Sequence, residues 1–209
     1  MIITNAQVEL VTPVDEKKVL ELLELCGRVC YKSEGSIEPG TAGPFVQRII
    51  DRGHESVLEH VGFTARFVVD RGVSHEIVRH RLASYSQEST RYCNYQKSSF
   101  GGEITVIEPC YLGRDSRKWE LWYDACLTAE QTYFHLLRCG CTPQEARAVL
   151  PHSLKTEVVM TANLREWRHF LRLRTSKVAH PQMREVAVPL LDKLHTCAPT
   201  LFGDIKKGD

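Results

Sequence analysis

The stretch GFTARFVVD, Gly62 to Asp70, sets Phe63, Ala65, Phe67 and Val69 against Thr64, Arg66 and Asp70. Such alternation belongs to a strand with one buried face. On either side of it the period changes. Upstream, VDEKKVLELLELCGRVCY carries Val19, Leu22, Leu23, Cys26 and Val29 at helical spacing, SEGSIEPGTAGP breaks that pattern, and Pro44 opens a short helix through Ile49 and Ile50 that stops before Gly53. Downstream, Ser74 is placed to cap a short helix, SHEIVRHR, and EITVIEP reads as a second strand ended by Pro109. Ser116 to Cys139 reads as a long helix carrying Trp119, Trp122, Cys126, Tyr133 and Leu137 at helical spacing, with the aromatics as core. Thr142, Pro143 and Glu145 spell a capped helix start, EVVMTA is a short β-rich run, and Asn163 with Glu166 forms a capping pair for a helix running to about Arg174. A last helix is expected from Pro181 to Leu194. Helices outnumber strands and do not alternate with them, so the expected class is α+β: one domain over residues 1–209, an antiparallel or mixed sheet of few strands flanked by several helices.

Composition narrows the function. Twenty-seven basic and twenty-six acidic side chains leave a net charge of +1, which provides no global field for a nucleic-acid polymer. An anion, if bound, is therefore expected to be small and held locally. No stretch approaches the roughly 20 apolar residues of a membrane span, and the N-terminus lacks a basic region followed by an apolar one. A cytoplasmic protein with no membrane partner is expected. The eight cysteines contain no C-x-x-C; Cys26 and Cys30 lie one helical turn apart, and Cys139-Gly-Cys141 is too tight for a zinc knuckle. Reduced thiols and no metal are the expectation.

Three polar clusters remain. HESVLEH, His54 to His60, reads locally as a turn with Ser56 as cap and Glu59 reaching back, while its histidine pair could also face a ligand. The histidines stand six apart rather than the four that put two zinc ligands on one helical face, which argues against a metal-dependent hydrolase. RHRLASYSQESTRY, Arg79 to Tyr92, gathers Arg79, Arg81 and Arg91 with Ser84, Ser86, Ser89 and Thr90, and only Glu88 opposes them. Guanidinium forks with hydroxyls between them suit a phosphate. A nucleophilic role for Ser89 lacks both a G-x-S-x-G elbow and a group to orient His80, and His80 between two cations is expected to stay neutral. NLREWRHFLRLRTS puts Arg165, Arg168, His169 and Arg172 on one helical face, where like charges repel unless an anion sits among them. The competing class is an arginine-rich protein that binds nucleotides or RNA.

Arg79-His80-Arg81, seven residues, then Ser89 resembles the signature of the flavin-dependent thymidylate synthases. HESVLEH before a strand, and ARAVLP and NLREWRHFLRLR after it, occur in the order and at the distances of that family, so the resemblance spans about His54 to Glu185. It implies reductive methylation of dUMP to dTMP, with methylenetetrahydrofolate as carbon donor, FAD as hydride carrier and NADPH as its reductant. It also implies a homotetramer whose sites are shared between subunits, and no enzyme nucleophile. Carried onto this chain, FAD contacts fall on His54, Ser56, Arg79, His80, Arg81, Gln87, Asn163, Leu164, Arg165 and His169. Those to dUMP fall on Glu76, Ile77, Val78, Arg79, Gln87, Glu88, Ser89, Thr90, Arg91, Arg147 and Arg174. Arg174 matches the catalytic arginine, placed to stabilise charge developing on the uracil ring.

Overall fold

The computed structural model describes residues 1–97 and 101–208. Two short strands that no periodicity announces open the chain, β1 (Ile2–Thr4) and β2 (Gln7–Leu10). Helix α1 (Glu16–Val29) starts on Asp15, whose carboxylate accepts the Lys18 N–H at 3.3 Å. Its buried face runs through Leu20 and Leu23, leaving Leu22 and Val29 about half exposed, so the inward stripe is displaced from the one that spacing suggests. Gly27 lets the next helix, α2 (Ala42–Asp51), approach: a Cβ there would lie 2.7 Å from the Phe45 ring. After Gly53 at a φ of +68°, a 3-10 turn, Glu55–His60, leads into β3 (Gly62–Asp70). Ser56 does not cap that turn. His54 occupies the cap position, Leu58 alone of the turn's residues is buried, and Glu59 pairs with Arg165 at 2.7 Å.

Phe63, Ala65, Phe67 and Val69 of β3 are all buried, as the alternation requires. Asp70 ends the strand and caps α3 (Arg71–Ile77), its Oδ1 accepting the Val73 N–H at 2.7 Å. Ser74 is therefore not the cap; it lies inside the helix, buried, its hydroxyl donating to the Arg71 carbonyl at 2.8 Å. A carboxylate at a helix start also meets the positive end of the helix dipole, which favours Asp70 over the serine four residues on. The chain then forms β4 (Ala83–Gln87), β5 (Thr105–Ile107), and α4 (Arg117–Arg138), which starts on Ser116, whose hydroxyl accepts the Trp119 N–H at 3.2 Å. Cys126 and Tyr133 of α4 are buried. Trp119 and Trp122 are half-buried, each with its indole N–H held, by Glu108 and Ser153 respectively, at 2.8 Å. Beyond them come α5 (Pro143–Ala146), with Glu145 accepting the Thr142 N–H at 2.7 Å as the motif predicts, β6 (Lys155–Asn163), α6 (Leu164–Arg174), α7 (Pro181–Cys197) and α8 (Pro199–Phe202).

A two-stranded parallel ladder joins β1 to β5, pairing Ile2 with Thr105 and Thr4 with Ile107. The larger sheet has the order β2-β3-β6-β4. Thr64 and Thr161 share a hydroxyl bond at 2.8 Å, while Arg71, just past the end of β3, gives its N–H to Leu154, just before β6. Late residues of one strand thus meet early residues of the other, the antiparallel sense. The class is α+β.

The chain divides into two compact units. One comprises Met1–Gln7, Phe67–Arg79 and Tyr85–Val159, with a core of Tyr95, Ile104, Val106, Cys126, Tyr133 and Leu154. The other comprises Val8–Arg66, His80–Ser84 and Met160–Asp209. In its core Phe63 stacks on Trp167 with centroids 4.6 Å apart, and the indole N–H reaches the Phe63 carbonyl at 3.0 Å. Such a pair contributes about 1 kcal/mol beyond the area it buries.

Candidate functional site

Asn163 ends β6 and caps α6, its side-chain oxygen accepting the Glu166 N–H at 2.9 Å. A reciprocal cap would send the Glu166 carboxylate back to Asn163. It goes instead to Nδ1 of His80, 2.8 Å away. The other ring nitrogen of His80, Nε2, meets Nε of Arg174 at 3.1 Å. Guanidinium donates only, so Nε2 is the acceptor and the proton sits on Nδ1, where it serves Glu166. His80 and Glu166 are both buried, with Phe170 edge-on to the imidazole at 4.9 Å and His169 tilted beside it at 5.5 Å. Burial lowers the His80 pKa below its ordinary 6.5; the Glu166 hydrogen bond opposes this, and the Arg174 charge adds to it. The neutral ring expected from the sequence follows, with burial as the main cause and Arg174 as the neighbouring cation.

Glu166, His80 and His169 bring ligand atoms within 4.8 Å of one another, a spacing that could hold a metal ion. Both His80 nitrogens are engaged, however, and a permanent cation stands against Nε2, which makes this a poor place for another. With its nitrogens committed to Glu166 and Arg174, His80 is also no base for Ser89.

Three of the four arginines of α6 are paired with acids of the protein. Arg168 has no exposed surface and is held by Asp204 through both terminal nitrogens, at 2.8 and 2.6 Å. Arg172 meets Asp204 at 3.0 Å and Glu55 at 3.2 Å, and Arg165 meets Glu59 at 2.7 Å. The expected repulsion is relieved by acids distant in sequence. Among the described residues, Arg79, Arg81 and Arg91 form no ion pair with an acid and stand exposed, Arg91 resting on the Tyr92 ring. Their charge is left to solvent or to a bound anion.

The remaining candidates fall into two groups. Within the unit containing α6, His54 and Ser56 line a cavity of about 330 Å³ with Arg48, Arg52, Tyr31 and Phe45. Arg165 and His169 stand one turn apart on α6, Asn163 caps the helix, Arg174 ends it against His80, and Leu164 is buried. Within the other unit, Arg147 donates to Thr90 at 3.3 Å beside a cavity of about 250 Å³ that Arg71, His75 and His152 also line. Ser89 Oγ accepts the Arg91 N–H at 3.3 Å. Gln87 is held by Ser74 and Thr156, and Glu88 by Lys155 at 3.0 Å and Tyr95 at 3.1 Å, so the Glu88 carboxylate is occupied by protein. Ile77 is buried; Glu76 and Val78 are half-buried. Arg48, Arg52, His75 and His152 line these two cavities although nothing in the neighbouring sequence singles them out. Glu166 reads from the sequence only as a cap.

The donor set suits a flavin dinucleotide: free guanidinium forks for a diphosphate, and amide, imidazole and guanidinium groups along α6 for the polar edge of a planar ring. Comparison with known proteins agrees with that chemistry. Residues 12–200 match the family model described as "Thymidylate synthase complementing protein". The chain is 35% identical to the flavin-dependent thymidylate synthase of Corynebacterium glutamicum, over 96% of this chain and 84% of that protein. It is 33% identical to that of Geobacter sulfurreducens, over 88% and 81%, and 35% identical to that of Mycobacterium tuberculosis, over 88% and 79%. With nearly its whole length matched, the chain belongs to the thymidylate synthase complementing protein family.

Proposed function

We propose that this chain is a flavin-dependent thymidylate synthase, methylating dUMP to dTMP with methylenetetrahydrofolate as carbon donor. The observation that carries this reading, within the family assignment, is the contact between His80 and Arg174. It draws the signature motif and the candidate catalytic arginine into one hydrogen-bonded group. FAD would be held by Arg79, Arg81 and Ser56 at its phosphates and by His54, His80, Gln87, Asn163, Leu164, Arg165 and His169 around the ring. Bound there, FAD would supply the hydride, with NADPH as its reductant. Arg174 faces the uracil ring and stabilises negative charge developing along its N3 and O4 edge, and because a guanidinium keeps its proton it acts by charge and orientation rather than by proton transfer. Arg147, Thr90, Ser89 and Arg91 hold the dUMP phosphate, with Glu76, Ile77, Val78, Gln87 and Glu88 shaping the nucleotide's surroundings. The working form is a homotetramer with Gln87–Arg91 and Arg79 of one site supplied by different subunits.

The test is direct. The purified protein is expected to be yellow, to bleach on addition of NADPH without oxygen, and to form dTMP once dUMP and methylenetetrahydrofolate are added. A colourless protein that takes up no FAD and forms no dTMP rejects the reading.

A further inference from the structure

Glu166 breaks a local rule. At the third position of α6, behind an Asn cap, a glutamate stabilises the helix by returning to the cap's own N–H. Here it turns to a histidine 86 positions away. It is also 7% exposed, and a buried carboxylate is a net cost unless its geometry serves something. Local conflict of this kind concentrates at functional sites.

We propose that Glu166 is a positioning residue: by keeping the proton on Nδ1 of His80 it makes Nε2 an obligatory acceptor for Arg174, and so fixes the direction in which that guanidinium faces the substrate. The claim rests on the reading of Arg174 as the residue that activates the uracil ring. The chain of constraint is short. Asn163 sets the first turn of α6, that turn sets Glu166, Glu166 sets the tautomer of His80, and His80 at 3.1 Å sets Nε of Arg174. Phe170 and His169 pack against the ring and keep it from rotating out of line. The opposite tautomer would aim an Nε2 hydrogen at the Nε hydrogen of Arg174 and break the contact.

Glu166→Gln is the informative change, because it preserves volume and helix propensity but lets the amide donate to Nδ1 as readily as accept. The expected result is a kcat about 10–100-fold lower, since misplacing a positioned group by about 1 Å can cost about 100-fold. The KM for dUMP should stay within about twofold, since an interaction made only in the transition state lowers kcat alone. Glu166→Asp, which keeps an acceptor-only group, should recover part of the loss. In ¹⁵N-histidine-labelled holoprotein, the ring nitrogens of His80 should report Nδ1–H in the wild type and a mixture in Glu166→Gln. A wild-type His80 protonated on Nε2, or a well-folded Glu166→Gln enzyme with undiminished kcat, overturns the proposal. If the wild type forms no dTMP, the functional reading fails; the nitrogen spectra still decide whether Glu166 sets the tautomer.

Discussion

Asp204 grips both terminal nitrogens of Arg168, at 2.8 and 2.6 Å, and Arg168 is completely buried while donating also to the Leu201 carbonyl. Removing one member of such a pair strands a buried charge, which costs about 3 kcal/mol or more. Asp204→Asn should therefore lower Tm by about 10 °C, at 2–4 °C per kcal/mol for a chain of this length. Burial raises the Asp204 pKa, but Arg168 and Arg172 outweigh it and hold the carboxyl below its ordinary 3.8. A depressed carboxylate pKa stabilises the fold above the unfolded value, and that part is lost as pH falls through the folded one. Thermal melts should thus show wild type and Asp204→Asn converging below about pH 3.8, and parallel curves at all pH values would contradict the pairing.

The arginines divide into those the protein neutralises and those it leaves exposed, and the division is measurable. Arg81→Gln should weaken FAD retention by about tenfold or more, the scale of one lost charge-assisted hydrogen bond. Arg172→Gln, which removes a guanidinium already shared by Glu55 and Asp204, should leave FAD affinity within about threefold, as surface ion pairs contribute little. Equal losses in a flavin titration would remove the distinction.

Much of this architecture is readable locally, and the rest fails for identifiable reasons. β3, the Ser116 cap and the Thr142–Glu145 cap are written in neighbouring residues. β4, spelled ASYSQ, does alternate, with Ala83, Tyr85 and Gln87 half-buried and Ser84 and Ser86 exposed, but only Tyr85 gives its inner face apolar bulk, too little to signal a strand. Arg168 and Arg172 look like an anion site because Asp204 and Glu55 lie 36 and 117 positions from the arginines they meet. Glu166 is misread for the same reason, since a cap and a histidine partner call for the same residue.

Ser89 accepts the Arg91 N–H at 3.3 Å, and both ring nitrogens of His80 are taken by Glu166 and Arg174. Ser89→Ala should raise the dUMP dissociation constant by about tenfold, the worth of a hydrogen bond to a charged group, and leave turnover at saturating dUMP largely intact. Abolished turnover with unchanged dUMP affinity would return the serine to nucleophilic chemistry.

His80 should give the pH profile an acid limb. Its pKa lies below 6.5, so the ring is neutral at pH 7; protonation at lower pH turns Nε2 from acceptor to donor in front of Arg174. The unfolded chain takes up its proton first, so the fold also loses stability as pH drops from 6.5 toward the lowered value. kcat should hold at and above pH 6.5 and fall only at lower pH, as the ring takes up its proton; a rate that stays flat through the pH at which the His80 ring nitrogens are seen to protonate by NMR, with the protein folded, would exclude this contact from the reaction.

Arg174 is where these arguments converge. It is half-buried and held at Nε by His80. If its terminal nitrogens stabilise the charged uracil, Arg174→Ala should lower kcat by about 100-fold or more, as loss of a preorganised donor does. Flavin content should survive, because the exposed Arg79 and Arg81 are the groups assigned to the diphosphate. Arg174→Lys should recover little: one ammonium can restore charge but cannot both meet His80 through Nε and present a planar fork. Single-turnover dTMP formation in flavin-replete Arg174→Lys decides the matter, since wild-type rates there would mean that charge alone suffices and the His80 contact is incidental.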